Sequence, residues 1–377
     1  PLGKLLMAVG IAIFGMVPFG WRVMGALAGI LMLPAMYLLG KQLTKKSSFA
    51  FAAALMLALD CQHFTQTRIA TIDSYPVLFI LFSWLFMLRF MQRDIVRLPL
   101  KKFLPDLALS GLFMGLGIAS KWIGVYSGAG LAVAFFWTIF RHMRMAAASA
   151  HLLKTDKSLS DEDRKILTLR DQTTMKRVLV ICLWCLLFFV AIPLAIYLLA
   201  YIPYFAYAHF DNLKDYLTAV WNAQLRMFSY HSKPGLGMDH PFYSPWYEWI
   251  FNQRPMYYAS PTYVNTPGWS YAIWCFGNPA IWSAALVGFA YTVFMWAKRH
   301  RYTLRKDGET LHWTAADWDV TMPFLLLSAL SQFLPWVLVP RGTYIYHYFA
   351  TTPFLMLSIT VLFRDITRRF PKTGKWL

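Results

Sequence analysis

The chain has 377 residues, of which 58% are hydrophobic and only 14% are charged, and its formal net charge at pH 7 is +18. This balance is typical of a polytopic membrane protein and excludes an ordinary soluble domain. Most of the 36 Lys and Arg fall between apolar runs, in segments 41–48, 89–102, 141–177, 298–306 and the tail from 364. Because cytoplasmic loops carry such an excess, the basic charge reflects topology, and we predict no nucleic-acid partner.

Apolar runs of about 20 residues are long enough to cross the ~30 Å hydrocarbon core of a bilayer as a helix. The sequence predicts nine of them, at 21–40, 49–67, 74–92, 105–120, 122–140, 178–201, 279–297, 320–339 and 344–363. The runs are continuous rather than alternating, which favours helices over strands. We therefore predict an all-α fold, a polytopic membrane bundle with about nine transmembrane helices.

The chain begins with a short apolar segment, residues 1–20, which is too short to cross the membrane comfortably. We predict an amphipathic helix that lies at the interface, with Lys4 among the headgroups. Residues 21–201 form a predicted six-helix transmembrane part. Its polar connector, 141–177, is predicted to lie in the cytosol and to contain a helix capped at Ser160.

The next part, residues 202–278, is predicted to be an extracytoplasmic loop, and it is rich in Trp, Tyr and Pro. Within it, the stretch DNLKDYLTAVWNAQLRMF places its apolar side chains on one helical face. This pattern predicts an amphipathic helix on the outer leaflet, with Asp211 as its N-cap. Residues 279–377 are predicted to form a three-helix transmembrane part followed by a basic cytosolic tail.

Basic residues also occur at the outer ends of the predicted helices, where topology gives no reason for them: Arg68, Lys121, Arg254 and Arg341. Each has an ordinary explanation alone, since an arginine can reach lipid headgroups and a lysine beside a tryptophan can anchor a helix end. Charges near the membrane are costly and usually functional, however. Cations on one side of the bilayer suit a bound phosphate, and the aromatic loop beside them suits a sugar ring. Together they predict an enzyme that takes a sugar from a lipid-linked phosphate.

Seven stretches of the chain, in order, resemble the protein O-mannosyltransferases, which are phospholipid-carrier-dependent glycosyltransferases of the GT-C membrane fold. The stretches are PLGKLL, FGWRVMGALAGILMLPAMYLLGK, TRIATIDS, GLGIASKWIGVY, YHSKPGLGMDHPFYSPWYEW with the following RPMYY, CFGNPAIW and PRGTYIYHYFATTPFL. The resemblance covers nearly the whole chain. It is of the bacterial type, because segment 202–278 has no room for the large sugar-binding-like domain of the eukaryotic outer loop.

The resemblance implies that a mannosyl (hexosyl) group passes, with inversion, from a polyprenyl-phosphate-linked sugar to Ser or Thr hydroxyls of proteins. The reaction is expected at the extracytoplasmic face of the plasma membrane, without a cofactor. A carboxylate deprotonates the acceptor hydroxyl while polyprenyl phosphate leaves. The family places that Asp, followed by Glu, in the first outer loop, before the motif in which this chain opens. We therefore expect an N-terminally truncated chain that lacks its general base and is inactive as it stands.

The resemblance also implies roles for individual residues. We expect the donor phosphate to be bound by Arg68, Lys121, Arg254 and Arg341. The sugar or acceptor cleft is expected to include Asp73, Trp122, His240, Trp246, Trp249, Tyr346 and His347. Asp73 is expected to orient Arg68 or to cap the helix that begins at Ser74. No metal is expected, because the outer histidines lack tight ligand spacing.

Other functions stay open at this point. One is a GT-C enzyme that acts on a lipid or glycan acceptor. Another is a non-catalytic transporter, which would need a polar path to the cytosol, whereas the polar and aromatic residues here concentrate at one face. A third is an assembly subunit that binds partners through the outer loop. The sequence leaves open whether the chain forms a dimer.

Overall fold

The computed structural model describes residues 1–157, 159–206, 208–259, 272–305 and 319–370, with the backbone alone for 299–305. Parts of the predicted outer loop and basic tail, 260–271 and 371–377, therefore lie outside the described residues. Nearly all regular structure in the described part is helical.

The helices form a single series along the chain. They are α1 Leu2–Phe14, α2 Pro18–Thr44, α3 Ser47–Ala58, α4 Cys61–Gln66, α5 Ser74–Met91, α6 Leu104–Ser120, α7 Ile123–Thr155, α8 Asp161–Leu186, α9 Ile192–Tyr204, α10 Leu213–Ser232, α11 Trp246–Ile250, α12 Pro279–Arg305, α13 Thr321–Phe333 and α14 Thr352–Arg369. Short 3-10 turns cover Leu100–Lys102, Leu334–Leu338 and Ile345–Ala350, and a π turn, Leu187–Ala191, joins α8 to α9. Two short strands, β1 Met256–Ala259 and β2 Ile273–Cys275, pair antiparallel, with Met256 opposite Cys275.

Six helical segments in the described part are long and apolar enough to cross a membrane. They are Pro18–Thr44, Ser74–Met91, Ile123–Thr155, Asp161–Tyr204, Pro279–Lys298 and Thr321–Leu338. Three shorter apolar helices, α1, α3 and α6, accompany them. The protein is therefore a multi-span membrane protein, as the apolar runs predict.

Several predicted helix limits differ from the structure. The apolar run 49–67 is divided, because α3 ends at Ala58 and the buried carboxylate of Asp60 caps α4 by accepting the His63 backbone N–H at 3.1 Å. The run 344–363 is likewise divided between a 3-10 turn and α14. The predicted helix after Ser160 is confirmed, since its hydroxyl accepts the Asp163 N–H at 3.1 Å.

Helix α10 begins one residue later than the sequence pattern indicated. Asn212, not Asp211, is its N-cap, because the Asn212 side chain accepts the Asp215 backbone N–H at 3.0 Å. The predicted apolar stripe is present and largely exposed: Leu213, Trp221 and Phe228, which share one face, are 71%, 63% and 63% exposed.

Helix α5 lies at the centre of the bundle and packs closely along α6. Its Trp84 is fully buried against Phe324 and Phe354 at ring distances of 5.6 and 6.0 Å. The two helices run antiparallel, and Ser110 of α6 donates to the Ser83 carbonyl of α5 at 2.9 Å. This arrangement places the start of α5 beside the end of α6, at the end of the bundle that holds the site.

The short helix α4 connects several distant segments. Gln62 donates to the Ile345 carbonyl at 2.9 Å, and Thr65 donates to the Trp274 carbonyl at 3.0 Å. Just before α4, Asp60 accepts the side-chain N–H of Trp282 at 3.0 Å. Buried polar groups of this kind are costly unless they are hydrogen-bonded. The hydrogen bond from Gln62 therefore holds the backbone around Ile345 against α4.

Candidate functional site

A cavity of about 1040 Å³ opens at one end of the bundle. Its walls come from the end of α6, the starts of α1 and α7, the end of α9, one face of α10 and the segment after α13. A cavity of this size suits a ligand as large as a lipid-linked sugar headgroup.

The charged residues that line the cavity all carry positive charge. They are Lys4, Lys121, Arg226 and Arg341. None of the described lining residues is an aspartate or glutamate. Cations in a partly desolvated cleft raise the local potential, so the cavity attracts anions. Lys4, expected among lipid headgroups, instead contributes to this wall.

Lys121 follows the last residue of α6 and is held by an ion pair. Its Nζ lies 2.5 Å from Oδ1 of Asp73 and 5.5 Å from the centre of the Tyr346 ring. Asp73 stands at the N-cap position of α5, but its side chain makes no capping hydrogen bond. The expectation that Asp73 caps α5 is therefore wrong, because its carboxylate is used by a cation from the neighbouring helix.

Arg341 presents an unused hydrogen-bond donor. Its Nη1 donates to the Gly342 carbonyl at 2.9 Å, whereas its Nε is buried and has no hydrogen-bond partner among the described residues. A buried donor without a partner costs free energy, and a guanidinium matches the geometry of a phosphate. Arg341 is thus the cavity residue best suited to an anionic ligand.

A hydrogen-bonded chain fixes the aromatic wall. Trp122 donates its indole N–H to the Tyr197 hydroxyl at 3.1 Å, and Tyr197 donates to Gln224 at 2.5 Å. Gln224 in turn donates to the Tyr201 hydroxyl at 2.8 Å. The chain links the start of α7, α9 and α10. It therefore holds the aromatic rings of the wall in place before any ligand binds.

His231 also lines the cavity, from the last turn of α10, with its ring 6.2 Å from that of Trp122. Burial lowers the pKa of His231, and the positive charges of Arg341 and Lys121 lower it further. Both effects favour the neutral imidazole. An anion bound between these cations would reverse the second effect.

Two of the four predicted phosphate-binding residues do not line the cavity. The Arg68 guanidinium is exposed and lies 3.6 Å from the centre of the Phe64 ring. Arg254 pairs with Glu248 at 3.2 Å and donates to the Tyr243 carbonyl at 3.2 Å, with its side chain 57% exposed. Both arginines have local partners, and the structure brings neither to Lys121 and Arg341.

Of the predicted cleft residues, only Trp122 lines the cavity. Trp249 is fully buried and donates its indole N–H to Ser244, while Trp246 packs on Phe333 at a ring distance of 5.7 Å. His240 is exposed and accepts the Phe242 backbone N–H at 3.2 Å. These contacts of the three side chains lie outside the cavity.

Tyr346 and His347 form a layer directly behind the cavity wall. The buried His347 ring lies 4.3 Å from those of Trp336 and Tyr346, and its Nδ1 contacts the backbone of Tyr344 at 3.0 Å. Trp336 is itself a lining residue, and Tyr346 lies under Lys121. The two residues therefore support the site from behind rather than facing it.

Sequence reasoning missed several lining residues: Lys4, Arg226, His231, Tyr197 and Tyr201. A signal existed for the tyrosines, because Tyr197, Tyr201 and Tyr204 recur at helical spacing on one face of α9. Arg226 lies on the face of α10 opposite its apolar stripe, whereas His231 lies in the last turn at the edge of that stripe. The amphipathic pattern gave neither residue a role in the site.

Comparisons with known proteins show the family of the chain. A sequence model described as dolichyl-phosphate-mannose-protein mannosyltransferase matches residues 7–213, and one described as the C-terminal four TMM region of protein-O-mannosyltransferase matches residues 216–375. The chain belongs to the protein mannosyltransferase family. The predicted family is thereby confirmed, and the protein is a glycosyltransferase.

Relatives of this protein mannosyltransferase occur in Mycolicibacterium smegmatis and Mycobacterium tuberculosis. The polyprenol-phosphate-mannose--protein mannosyltransferase of Mycolicibacterium smegmatis (strain MKD8) is 25% identical over 406 residues, which cover 97% of this chain and 70% of the relative. The protein of that name from Mycobacterium tuberculosis (strain CDC 1551 / Oshkosh) is 25% identical over 405 residues, with the same coverage.

The fold is that of a solved protein mannosyltransferase. The Saccharomyces cerevisiae protein O-mannosyltransferase Pmt1-Pmt2 complex bound to the sugar donor matches with a TM-score of 0.71 at 11% identity, covering 97% of this chain and 78% of that chain. The predicted GT-C membrane fold is confirmed.

Proposed function

We propose that the cavity binds the phosphate and sugar of polyprenyl-phosphate-mannose, and that the protein transfers the mannose to Ser or Thr hydroxyls of acceptor proteins. The observation that carries this proposal is the lining of the cavity. It combines four basic residues with aromatic rings, and no described lining residue is an aspartate or glutamate. The basic residues are Lys4, Lys121, Arg226 and Arg341. The relatives from Mycolicibacterium smegmatis and Mycobacterium tuberculosis are named for this reaction, which supports the choice of donor and acceptor.

Arg341 and Lys121 bind the donor phosphate in this account. During inverting transfer, the acceptor oxygen forms a bond to the anomeric carbon while the bond from that carbon to the phosphate oxygen breaks. The electron pair leaves with the phosphate, whose negative charge grows from one towards two. Fixed cations aimed at that developing charge stabilise the transition state.

The acceptor hydroxyl loses its proton to a carboxylate. The described lining residues offer none, so the proposal assigns the base to a carboxylate outside this set. The displacement involves no change of oxidation state, and the proposal includes no cofactor.

The aromatic residues bind the sugar. Trp122 and Trp336 present rings at the cavity, and the hydroxyls of Tyr197 and Tyr201 are already oriented by Gln224. Sugar C–H faces pack on aromatic rings, and fixed hydroxyls select among sugar stereoisomers. The wall also contains apolar residues, among them Ile118 and Leu338, which suit the start of the polyprenyl chain.

The cavity lies at the end of the bundle opposite the basic segments. Lys121, at the cavity, directly follows the last residue of α6. At the other end of that helix, Asp106 pairs at 2.8 Å with Arg89, which belongs to the basic segment 89–102. By the positive-inside rule the cavity then faces the extracytoplasmic side, and in a bacterium the membrane is the plasma membrane.

The proposal is tested with the protein reconstituted in lipid nanodiscs. Polyprenyl-phosphate-mannose should bind, polyprenyl phosphate should compete with it, and uncharged polyprenol of the same length should not. Radiolabelled mannose should pass from this donor to a Ser/Thr-rich peptide in membranes that contain the protein expressed from its complete gene, because the base is assigned to a carboxylate outside the described lining. Equal binding of polyprenol, or no binding of the donor, would refute the proposal.

A further inference from the structure

The ion pair between Asp73 and Lys121 sets the charge at one side of the cavity. Asp73 precedes α5 and Lys121 follows α6, so the antiparallel packing of these two helices brings the residues together. Their side chains are 11% and 24% exposed, and the 2.5 Å contact is shielded from bulk water. A pair in this setting keeps its geometry and is screened weakly by salt.

Asp73 carries a negative charge, whereas all the charged residues that line the cavity are positive. The lining cations Lys4, Arg226 and Arg341 have no ion-pair partner among the described residues, whereas Lys121 has one. The negative charge of Asp73 therefore offsets the positive charge of Lys121, so a bound phosphate experiences a weaker positive potential. It also fixes the Lys121 ammonium, which packs against the Tyr346 ring.

The charge of the ligand changes during the reaction. A sugar phosphodiester carries one negative charge, whereas the polyprenyl phosphate that is left is a monoester with a second pKa near 6, so it carries close to two negative charges at pH 8. Each added positive charge in the cavity stabilises the monoester about twice as much as the diester. Excess positive charge would therefore hold the product.

We propose that Asp73 is a positioning residue that holds the Lys121 ammonium at the cavity wall and offsets its charge, so that the cavity discriminates less strongly in favour of the doubly charged product. This proposal rests on the proposed function above. Asp73 contacts the ligand only through Lys121, and it acts on the balance between donor binding and product release.

The two partners of the ion pair should change this balance in opposite directions. Dissociation constants for polyprenyl-phosphate-mannose and polyprenyl phosphate are measured in nanodiscs at pH 8 for each variant. Asp73→Asn leaves an uncompensated lysine, and the preference for polyprenyl phosphate over the donor should rise about tenfold. Lys121→Met leaves an uncompensated carboxylate, and the preference should fall by a similar factor.

Two controls separate charge from structural damage. Asp106→Asn removes a buried carboxylate that pairs with Arg89 and Arg93 at the opposite end of α6, and it should leave the preference unchanged. The double variant Asp73→Asn/Lys121→Met removes both charges, and its preference should return to within about threefold of the wild type, because the two effects cancel.

The outcomes distinguish this proposal from the one on which it rests. Shifts of the preference in the same direction for Asp73→Asn and Lys121→Met, or no shift in either, would overturn the role of Asp73 while wild-type donor binding still stands. A wild-type protein that binds neither ligand would overturn the proposed function, and this role with it.

Discussion

Replacing Arg341 with methionine should weaken donor binding without weakening the fold. In the free protein the buried Nε of Arg341 has no hydrogen-bond partner among the described residues, which costs about 1–3 kcal/mol. A phosphate that accepts this N–H forms a charge-assisted bond worth about 1.5–3 kcal/mol. Its loss corresponds to a roughly 10- to 150-fold weaker donor affinity. The free energy of unfolding should change by about 1 kcal/mol at most, because methionine loses the hydrogen bond from Nη1 to the Gly342 carbonyl but leaves no unpaired donor.

Donor affinity and thermal unfolding are therefore measured on the same preparation of Arg341→Met. Arg254→Met is the matched control, because it removes the same charge from the same side of the bundle. The Arg254 side chain is 57% exposed and lies outside the cavity, so we expect donor affinity within about twofold of the wild type. If Arg341→Met lost stability and kept its donor affinity, the arginine would be a packing residue and the reasoning would be refuted.

Three further predictions concern the pH response, packing and topology. The folded protein lowers the pKa of His231, so it binds fewer protons there than the unfolded chain, and stability is lost as the pH falls below about 6.5. His231→Gln should reduce this acid-dependent loss in a pH series of thermal unfolding; an unchanged slope would contradict it. A Cβ on Gly111 would lie 2.1 Å from the Phe188 carbonyl oxygen, so Gly111→Ala should cost about 1–3 kcal/mol, whereas Gly128→Ala, which meets only the flexible Met114, should cost less. Equal losses of unfolding free energy in the two variants would contradict the claim that the Phe188 backbone packs tightly on Gly111. In a cysteine-free background, a cysteine at Ser232 should react with an impermeant maleimide from outside, and one at Lys157 only after permeabilisation; the reverse pattern would invert the topology.

The helical bundle was largely predictable, because it depends on local sequence properties. Apolar length sets which helices can cross the membrane. The direction in which they cross stays a prediction from the asymmetry of Lys and Arg. The break after α3 had a local signal that the predicted run 49–67 passed over, namely the polar stretch DCQHFTQT at 60–67. The sequence could not show that Asp60 accepts hydrogen bonds from Trp282 and Asn278, more than 200 positions away.

The sequence predicted the chemical type of the site, cations beside aromatic rings, but not which residues line it. Lys121 and Arg341 were singled out for their position, and they do share a cavity. Arg254 was singled out for the same reason, yet it pairs with Glu248, six positions before it, in a local turn. Charge and side of the membrane do not distinguish these cases. The pairing of Asp73 with Lys121 depends on the register between α5 and α6, which the sequence does not state.

The most direct test of this account is a structure of the protein with polyprenyl-phosphate-mannose bound in nanodiscs. We predict the phosphate within hydrogen-bonding distance of Arg341 and beside Lys121, with the sugar against Trp122 and Tyr197. A phosphate at Arg68 or Arg254, outside the cavity, would contradict the central claim.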